Sequence, residues 1–299
     1  MICQWRTLRT LTKQMLSPYA SVFREGLFQG QVALVTGAGS GIGRCTVHEL
    51  AALGARVALL GRKEDKLKAV AAEIGAEART YGCDIREEDA VAKTVARVLA
   101  DFGRIDCLVN NAGGQFGSPL EKISAKGWDA VVRTNLTGGF LVARECYTQW
   151  MKGAASGAIV NMIADMWNGM PGMGHSGAAR AGMLNFTETA ALEWAPIRVN
   201  AVAPGWIASS GLDHYPQEMA EHIRALPKRV PLGRLGTESE VSAAIVFLLS
   251  PAAAFISGSC LRVDGAVPSA KRVADRIGSG SSTPAFDGFH LAKKPKVLE

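Results

Sequence analysis

The sequence lacks the features that mark several protein classes. Its 299 residues contain no run of eighteen apolar residues, so we expect no membrane-spanning helix. The six cysteines form no Cys-x-x-Cys pair and no metal-binding spacing, which predicts free thiols, no bound metal and a reducing, cytoplasmic location. Charged residues at 20% and hydrophobic residues at 48% are typical of a soluble globular protein with an ample core.

A basic surplus is present, but it lies at the two ends of the chain. The formal net charge is +6, and residues 1–30 and 268–299 each carry a surplus of three positive charges. The part between them is balanced, and basic tails of this kind are commonly just solvated. We therefore expect no nucleic-acid partner.

Residues 1–14 are basic, contain no acidic residue and lack the apolar core of a secretion signal. Two interpretations stay open. These residues could form an organelle presequence, or they could be an over-extended reading frame for which Met15 is the true start. We favour the second interpretation, which predicts a cytoplasmic protein.

Short apolar segments alternate with helical patterns through the rest of the chain. The segments of strand length are Val32–Thr36, Arg56–Leu60, Thr80–Cys83, Ile105–Asn110, Ala158–Met162, Ile197–Val202 and Cys260–Val263. The helical patterns are Gly43–Leu53, Glu64–Ile74, Glu87–Phe102, Trp128–Met151, Ala178–Trp194 and Glu238–Leu249. This alternation predicts an α/β fold of Rossmann type, with a doubly wound, parallel seven-stranded sheet in one domain and helices on both faces.

The rhythm breaks near residues 208–236, just beyond the sixth predicted strand. This interval contains Tyr215 and three prolines. Ligands of open α/β sheets bind beyond the carboxyl ends of the strands, so the insertion is a candidate substrate lid. An ordinary loop is the alternative. Farther on, Phe286 and Phe289 could pin the C-terminus back onto a neighbour.

A glycine-rich turn joins the first predicted strand to the first helix. In Gly37–Gly43, the residue Gly37 permits the sharp turn, Gly41 lets the backbone approach a pyrophosphate, and Gly43 lets the helix lie close to the sheet. The amides at the helix N-terminus would then face phosphate groups. This context predicts a dinucleotide-binding site.

The end of the second predicted strand indicates which dinucleotide. A site that prefers NAD usually places a carboxylate there, on the ribose 2′-hydroxyl. This chain has Arg62 and Lys63 instead, and a guanidinium can grip a 2′-phosphate with two hydrogen bonds. We therefore expect NADPH rather than NADH. The alternative is a pair of solvated charges at the start of a helix.

Four motifs, in this order, resemble the short-chain dehydrogenase/reductase family. They are Thr36–Gly43, Asn110–Gly113, Asn135 within Thr-Asn-Leu-Thr-Gly, and Pro204-Gly205. The resemblance covers about residues 28–268 and implies one dinucleotide-binding catalytic domain between extensions of residues 1–27 and 269–299. With the glycine turn and the basic pair, it gives these expected cofactor contacts: Gly37, Ser40, Gly41, Ile42, Gly43, Arg62, Lys63, Asp84, Ile85, Asn111, Ala112, Gly113, Arg180, Pro204, Gly205, Ile207 and Ser209.

The chain departs from the family at the catalytic group, which is ordinarily Asn, Ser, Tyr and Lys. Asn135 is retained, but Ala164 stands at the serine position, Ser176 at the tyrosine position and Arg180 at the lysine position. Serine is too weak an acid to replace a phenol at neutral pH. The expected catalytic residues are therefore Asn135, Ser176 and Arg180. Asp165, His175 and Tyr215 are further polar candidates, each with a plain structural role as the alternative.

The sequence also resembles a subgroup that manages without the tyrosine, the peroxisomal trans-2-enoyl-CoA and 2,4-dienoyl-CoA reductases. The matching segments include Asn110–Phe116, Ser124–Trp128, Thr134–Gly138 and His175–Gly182. A tyrosine that is sometimes assigned as proton donor in the first of these corresponds to Leu184 here, so that role cannot be transferred. Reducing a double bond conjugated to a thioester places charge on the thioester oxygen, which needs hydrogen-bond donors more than a phenol.

Three functions stay open at this point. The first is NADPH-dependent reduction of an enoyl- or dienoyl-thioester, possible substrates being acyl-CoA molecules. The second is an alcohol or aldehyde dehydrogenase with unusual proton delivery, acting on an isoprenoid. The third is a cofactor-binding protein with little catalysis. The methionines Met162, Met166, Met170 and Met173, with Trp167, would line an apolar pocket or belong to the core. The resemblance also implies a homodimer or homotetramer.

Overall fold

A single parallel sheet organises the chain. The computed structural model describes residues 19–215, 217–270 and 284–298, so the expectations for residues 1–14 lie outside the described residues. The strands are β1 (Val32–Thr36), β2 (Arg56–Gly61), β3 (Ala78–Gly82), β4 (Cys107–Asn110), β5 (Ala158–Met162), β6 (Arg198–Pro204) and β7 (Cys260–Val263). Their order in the sheet is β3-β2-β1-β4-β5-β6-β7, all parallel. The predicted doubly wound, seven-stranded fold is confirmed.

Helices connect the strands and cover both faces of the sheet. They are α1 (Gly41–Ala52), α2 (Glu64–Ile74), α3 (Glu88–Phe102), α4 (Ala125–Val132), α5 (Gly138–Cys146), α6 (Lys152–Ala154), α7 (Gly174–Glu193), α8 (Ala220–Ala225), α9 (Glu238–Leu249) and α10 (Val267–Ala270). The alternation of side chains along β1 shows the two layers. Ala33 and Val35 pack with α1, α2 and α9, whereas Val32 and Leu34 pack with α3 and α5 on the other face.

Two helix predictions differ from the structure in instructive ways. The pattern predicted one helix over Trp128–Met151, but two π-helical turns interrupt it, at Arg133–Thr137 and Tyr147–Met151. The first turn contains Asn135. The helical region also starts earlier than predicted, at Ala125 rather than Trp128, because Ser124 caps α4 by accepting a hydrogen bond from the Gly127 amide at 3.1 Å. π-helical turns often mark functional positions in a helix.

The long helix α7 begins four residues earlier than the predicted start at Ala178. Gly174 opens it, so Ser176 and Arg180 lie on the same helix, one turn apart. In the described part of the chain, no helix is both long enough and apolar enough to cross a membrane.

The segment between Ala208 and Gly236, which follows β6, begins and ends at one β-bridge. Ile207 forms a parallel bridge with Gly236, the Ala208 amide donates to Gly236 O at 2.8 Å, and the Gly236 amide donates to Trp206 O at 3.0 Å. Between these anchors the chain forms short helical turns and α8. We call residues 208–236 the insertion from here on. Its two ends are therefore fixed, and its middle stands beyond the carboxyl ends of the strands.

The C-terminal segment, residues 284–298, runs back over the body. Phe289 is buried beside α1, where its ring stacks on Tyr19 at 5.8 Å and lies 5.1 Å from the His48 ring. Farther along, Val297 and Leu298 pack against apolar residues of the insertion. The segment therefore joins the first helix to the insertion within one chain, and Phe289 does pin the terminus back onto the body.

Candidate functional site

The glycine turn after β1 is built so that only glycine fits. Gly37 and Gly41 have φ angles of +68° and +57°, which side chains rarely adopt. A Cβ on Gly43 would collide with the carbonyl oxygen of Gly37 and would lie 2.5 Å from Nδ2 of Asn111. The helix can therefore lie directly against the strand only because this position has no side chain.

The N-terminus of α1 is left without a side-chain cap. Ser40, which immediately precedes the helix, makes no capping hydrogen bond, and the first turn contains no acidic residue. The neighbourhood of Gly41 is open, since a Cβ added there would have one atom within 4 Å, Oε1 of Glu238 at 3.8 Å. Uncapped amides and the positive end of a helix suit a diphosphate. The residues present therefore fit the pyrophosphate of a dinucleotide.

The ends of β1 and β4 are tied together where the strand order reverses. Thr36 Oγ1 accepts from the amides of Asn111 at 3.0 Å and Ala112 at 2.9 Å, and Asn111 Nδ2 donates to Thr36 O at 2.9 Å. A crevice at such a reversal is the usual ligand site of an open α/β sheet. Asn111 and Ala112 thus lie at the floor of that crevice.

The residues expected on the adenosine side are arranged at the ends of β2 and β3. Arg62 and Lys63 are exposed, and neither forms a salt bridge within residues 19–215, 217–270 and 284–298. Asp84 is held by Arg86, whose Nε donates to Oδ1 at 2.9 Å, and this bond holds the pKa of Asp84 below its usual value. Ile85 is buried beneath Gly138. The guanidinium of Arg62 is therefore available to a ligand.

Arg180 brings a positive charge to the carboxyl end of the sheet. Its Nη1 donates to Met162 O at 2.6 Å, its Nη2 lies against Gly113, and its Nε is buried with no hydrogen-bond partner. No carboxylate of the described residues forms a salt bridge with it. Burial lowers the pKa of Arg180 to about 10, so the guanidinium remains charged at neutral pH. Among the described residues, the site thus holds a fixed cation without an anionic partner.

Asn135 is buried in the π-helical turn and bonds the loop after β4. The Gly114 amide donates to Asn135 Oδ1 at 2.9 Å, and Asn135 Nδ2 donates to Gly114 O at 2.9 Å. A Cβ on Gly113 would lie 3.0 Å from Asn135 Oδ1. Both ends of the amide therefore hold the backbone that also contacts Arg180.

Ser176 is fully buried, and its hydroxyl reaches toward the insertion through a glutamine. Ser176 Oγ donates to Gln115 Oε1 at 2.8 Å, and Gln115 Nε2 donates to Tyr215 Oη at 3.0 Å. His175 Nδ1 accepts from the Ser176 amide at 2.8 Å, and its ring lies edge-on to Phe116 at 4.4 Å. The structure thus gives His175 a packing and hydrogen-bonding role, and it brings Tyr215 to the site.

The residues expected beside the nicotinamide follow β6. Pro204 is buried at the strand end, and the Gly205 amide donates to Val263 O at 2.9 Å. A Cβ on Gly205 would lie 2.8 Å from Cα of Asp264, so β7 leaves no room for a side chain. Ile207 is buried at the bridge that anchors the insertion, and the Ser209 amide donates to Ile207 O at 2.9 Å. These residues form the wall between crevice and insertion.

Two residues of the site were missed by the sequence analysis. Gln115 lies within the matching segment Asn110–Phe116 but was given no role there, because its role depends on a hydrogen bond to Tyr215, 100 positions away. Glu238 begins α9 and reaches the glycine turn; burial raises its pKa to about 7, and the backbone N–H of Ser210 hydrogen-bonds it. The signal that could have found Glu238 is its place at the first turn of a helix that follows the insertion.

The methionine group divides between core and site. Met162 belongs to the buried cluster beneath α1 and α9, whereas Met166 and Trp167 pack on a smaller cluster around Ile163 and Met183. Asp165 donates its amide to Pro204 O at 3.2 Å. Met162 therefore belongs to the core, which is one of the two interpretations of these methionines.

The comparisons with known proteins agree with this geometry. A family model described as "Enoyl-(Acyl carrier protein) reductase" matches residues 37–267. The solved structure of a citronellol catabolism dehydrogenase from Pseudomonas aeruginosa is 60% identical, with a TM-score of 0.75, and covers 84% of this chain and 100% of that chain.

Two curated relatives are 2,4-dienoyl-CoA reductases. The probable enzyme of Bacillus subtilis, described as (2E)-enoyl-CoA-producing, is 36% identical over 79% of this chain and 95% of its own length. The peroxisomal enzyme of Danio rerio, described as (3E)-enoyl-CoA-producing, is 32% identical over 92% of this chain and 94% of its own length.

Proposed function

The chain belongs to the short-chain dehydrogenase/reductase family and is thus an oxidoreductase, and we propose that it uses NADPH to reduce a carbon–carbon double bond conjugated to a thioester. One observation carries the proposal. The positions that ordinarily supply a phenol and an ammonium hold Ser176 and Arg180, and the guanidinium has no anionic partner among the described residues. Such a site favours a substrate that becomes an oxyanion.

The reduced nicotinamide supplies the hydride when it is bound. The chain's own residues bind and orient the two reactants. The uncapped amides at Gly41 would hold the pyrophosphate, and Arg62, which lies exposed at the end of β2, would hold the 2′-phosphate. Pro204 and Gly205 form the wall that would limit where the nicotinamide can lie.

Arg180 and its neighbours would act on the acyl part. A cation fixed in low-polarity surroundings stabilises a developing thioester oxyanion more strongly than the same charge in water. Arg180 cannot also serve as an acid, since its pKa of about 10 keeps it charged at neutral pH. Asn135 would position the Gly113-Gly114 backbone against it. Charge stabilisation, rather than proton transfer from Arg180, is the role that this arrangement supports.

A second candidate function rests on a different observation. The 60% identity to the citronellol catabolism dehydrogenase of Pseudomonas aeruginosa favours an isoprenoid substrate, as an alcohol or an aldehyde. The apolar group of Met166, Trp167 and Ile163 near the end of β5 would suit a branched chain. The two candidates differ in which bond is reduced.

A substrate panel separates them. NADPH oxidation is measured with crotonyl-CoA, a 2,4-dienoyl-CoA and citronellal, and NADP⁺ reduction is measured with citronellol. We expect turnover on the thioesters, and we expect it to be strongly reduced in Arg180→Met, which keeps the length but not the charge. Turnover on citronellal or citronellol alone would contradict the thioester proposal and support the second candidate. Tight NADPH binding with no turnover would point to a cofactor-binding protein with little catalysis.

A further inference from the structure

A chain of hydrogen bonds connects α7 to the insertion through three side chains. Ser176 Oγ donates to Gln115 Oε1 at 2.8 Å, and Gln115 Nε2 donates to Tyr215 Oη at 3.0 Å. The resemblance to the family places a phenol at position 176, where this chain has a buried serine. The phenol of Tyr215 is therefore linked to the position where a phenol is missing.

The direction of these bonds determines which group still has a proton to give. A hydroxyl donates one hydrogen bond, and Ser176 uses its own on Gln115. Tyr215 instead accepts from Gln115, and within the part of the chain that the structure describes no acceptor takes the hydrogen of its own hydroxyl, which can therefore point at a ligand. Among these three side chains, Tyr215 is thus the one arranged as an acid.

The insertion holds Tyr215 where it can meet a substrate. The residue follows a 3-10 turn, Ser210–His214, and packs in an apolar cluster with Ile223, Leu226 and Leu235. Its side chain is only half-buried, so water can reach the phenol. Because Ser176 and Arg180 are one helical turn apart on α7, the hydrogen bonds from Ser176 through Gln115 bring the phenol near the part of α7 that carries the guanidinium.

We propose that Tyr215 is the proton donor of the reaction and that Gln115 is the residue that positions it. The proposal rests on the proposed function for the identity of the substrate. The hydride brings both electrons to the β carbon, and the double bond becomes an enolate stabilised by Arg180. The O–H bond of Tyr215 then breaks, its proton forms the new C–H bond at the α carbon, and the phenolate recovers a proton from water.

The test compares Tyr215→Phe and Gln115→Leu with a matched control, Tyr147→Phe. Tyr147 lies away from the site, stacked on Trp194 at 4.5 Å. With crotonyl-CoA, we expect Tyr215→Phe to lower kcat by about a hundredfold or more, as the loss of a general acid does. The solvent deuterium isotope effect on kcat should change with it, and NADPH affinity, measured by fluorescence titration, should not. Tyr147→Phe should match the wild type in all three measurements.

Gln115 is tested through its dependence on Tyr215. We expect Gln115→Leu to lower kcat by about fivefold, as the loss of one hydrogen bond of roughly 1 kcal/mol would. The double variant with Tyr215→Phe should be no slower than Tyr215→Phe alone, because the two residues act as one unit. Independent, multiplying effects would refute the positioning role of Gln115. An unchanged kcat and isotope effect in Tyr215→Phe would refute the role of Tyr215.

A binding measurement separates failure of this proposal from failure of the proposed function. Butyryl-CoA, the saturated product, is titrated by calorimetry into each variant in the presence of NADP⁺. If the wild type reduces no thioester, the proposed function fails, and the calorimetry alone decides on Tyr215. A higher Kd, that is weaker binding, in Tyr215→Phe than in Tyr147→Phe would retain Tyr215 as a donor to the acyl group. An equal Kd, or no binding to the wild type, would overturn the assignment.

Discussion

Asn135 and Gly114 exchange two hydrogen bonds, one in each direction and both 2.9 Å long. The side-chain amide of Asn135 therefore bonds both the backbone N–H and the backbone carbonyl of Gly114, as a neighbouring strand would. A Cβ on Gly113, the preceding residue, would lie 3.0 Å from Asn135 Oδ1 and would collide with Nη2 of Arg180. The arrangement makes Asn135 a positioning residue: it fixes the backbone on which the guanidinium rests.

Replacing Asn135 with Ala should lower turnover far more than NADPH affinity. The Gly114 amide and carbonyl would lose both partners, and a displacement of about 1 Å at a catalytic group can cost roughly a hundredfold in rate. Steady-state kinetics and fluorescence titration of NADPH measure the two effects. Thr134→Ala, on the exposed side of the same turn, is the control and should change neither. A parallel loss of affinity and turnover would show that Asn135 supports the cofactor instead.

Replacing Arg62 with Asp should shift the cofactor preference toward NADH. The change removes a donor to the 2′-phosphate and adds a carboxylate that repels it, and a hydrogen bond to a charged group is worth about 1.5–3 kcal/mol. The ratio of kcat/KM for NADPH to that for NADH should fall by at least about tenfold. The control is Lys68→Asp, which makes the same charge change within α2, where Lys68 pairs with Glu64. It should leave the ratio unchanged. An unaltered ratio in Arg62→Asp would mean that Arg62 is merely solvated.

Local patterns in the sequence were sufficient to predict the sheet and the glycine turn. The alternation of short apolar segments with helices determined the strand number, and the contacts of Gly43 explain why no other residue fits that turn. Both features depend on residues close together in the sequence. The start of α7 was misjudged because Gly174 and Gly177 are poor helix formers, and tertiary packing overrides that propensity.

The rest of the site could not be predicted because it depends on contacts between distant residues. The sequence left Tyr215 open between a candidate site residue and a plain structural role, since nothing near it in the chain shows that Gln115 lies within hydrogen-bond distance. The approach of Glu238 to Gly41 similarly arises only when α9 packs beside α1. Such side chains become neighbours through the topology of the sheet, which the local pattern does not specify at atomic distances.

The C-terminal segment should control the conformation of the insertion. The Val297 amide donates to Asp213 Oδ1 at 3.3 Å, and Arg224 Nε donates to Val297 O at 2.9 Å. Replacing Val297 with Asp would place a charge in the apolar cluster around Ile223. We expect it to destabilise the conformation in which the insertion packs on the C-terminal segment by about 1–2 kcal/mol, a factor of roughly 5–30 in the population of that conformation.

The expected result of Val297→Asp is a higher KM for the acyl substrate with an unchanged Kd for NADPH. Steady-state kinetics and fluorescence titration measure the two quantities. Lys294→Asp introduces the same acid at an exposed position of the same segment and should behave as the wild type. If both variants raise KM equally, charge on the segment, rather than its packing, is responsible.

The carboxyl group of Glu238 should make cofactor binding depend on pH. Its Oε1 lies 3.8 Å from the place a Cβ on Gly41 would occupy, within the turn that would hold the pyrophosphate. Burial raises the pKa of Glu238 to about 7; Asp287 acts in the same direction, and Arg44 opposes it. The group is thus neutral below about pH 7 and becomes a carboxylate above it.

An anionic pyrophosphate is bound best while Glu238 is neutral, so NADPH affinity should be highest below pH 7 and should fall as the pH rises through it. One ionising group can change the Kd by at most about tenfold per pH unit. Fluorescence titrations between pH 6 and 9 should show this decline in the wild type and a flatter profile in Glu238→Gln, which keeps the shape and stays neutral. Titration of the cofactor's own 2′-phosphate is common to both proteins, so the difference between the two profiles isolates Glu238. Identical profiles would place the carboxyl group too far from the phosphates to matter.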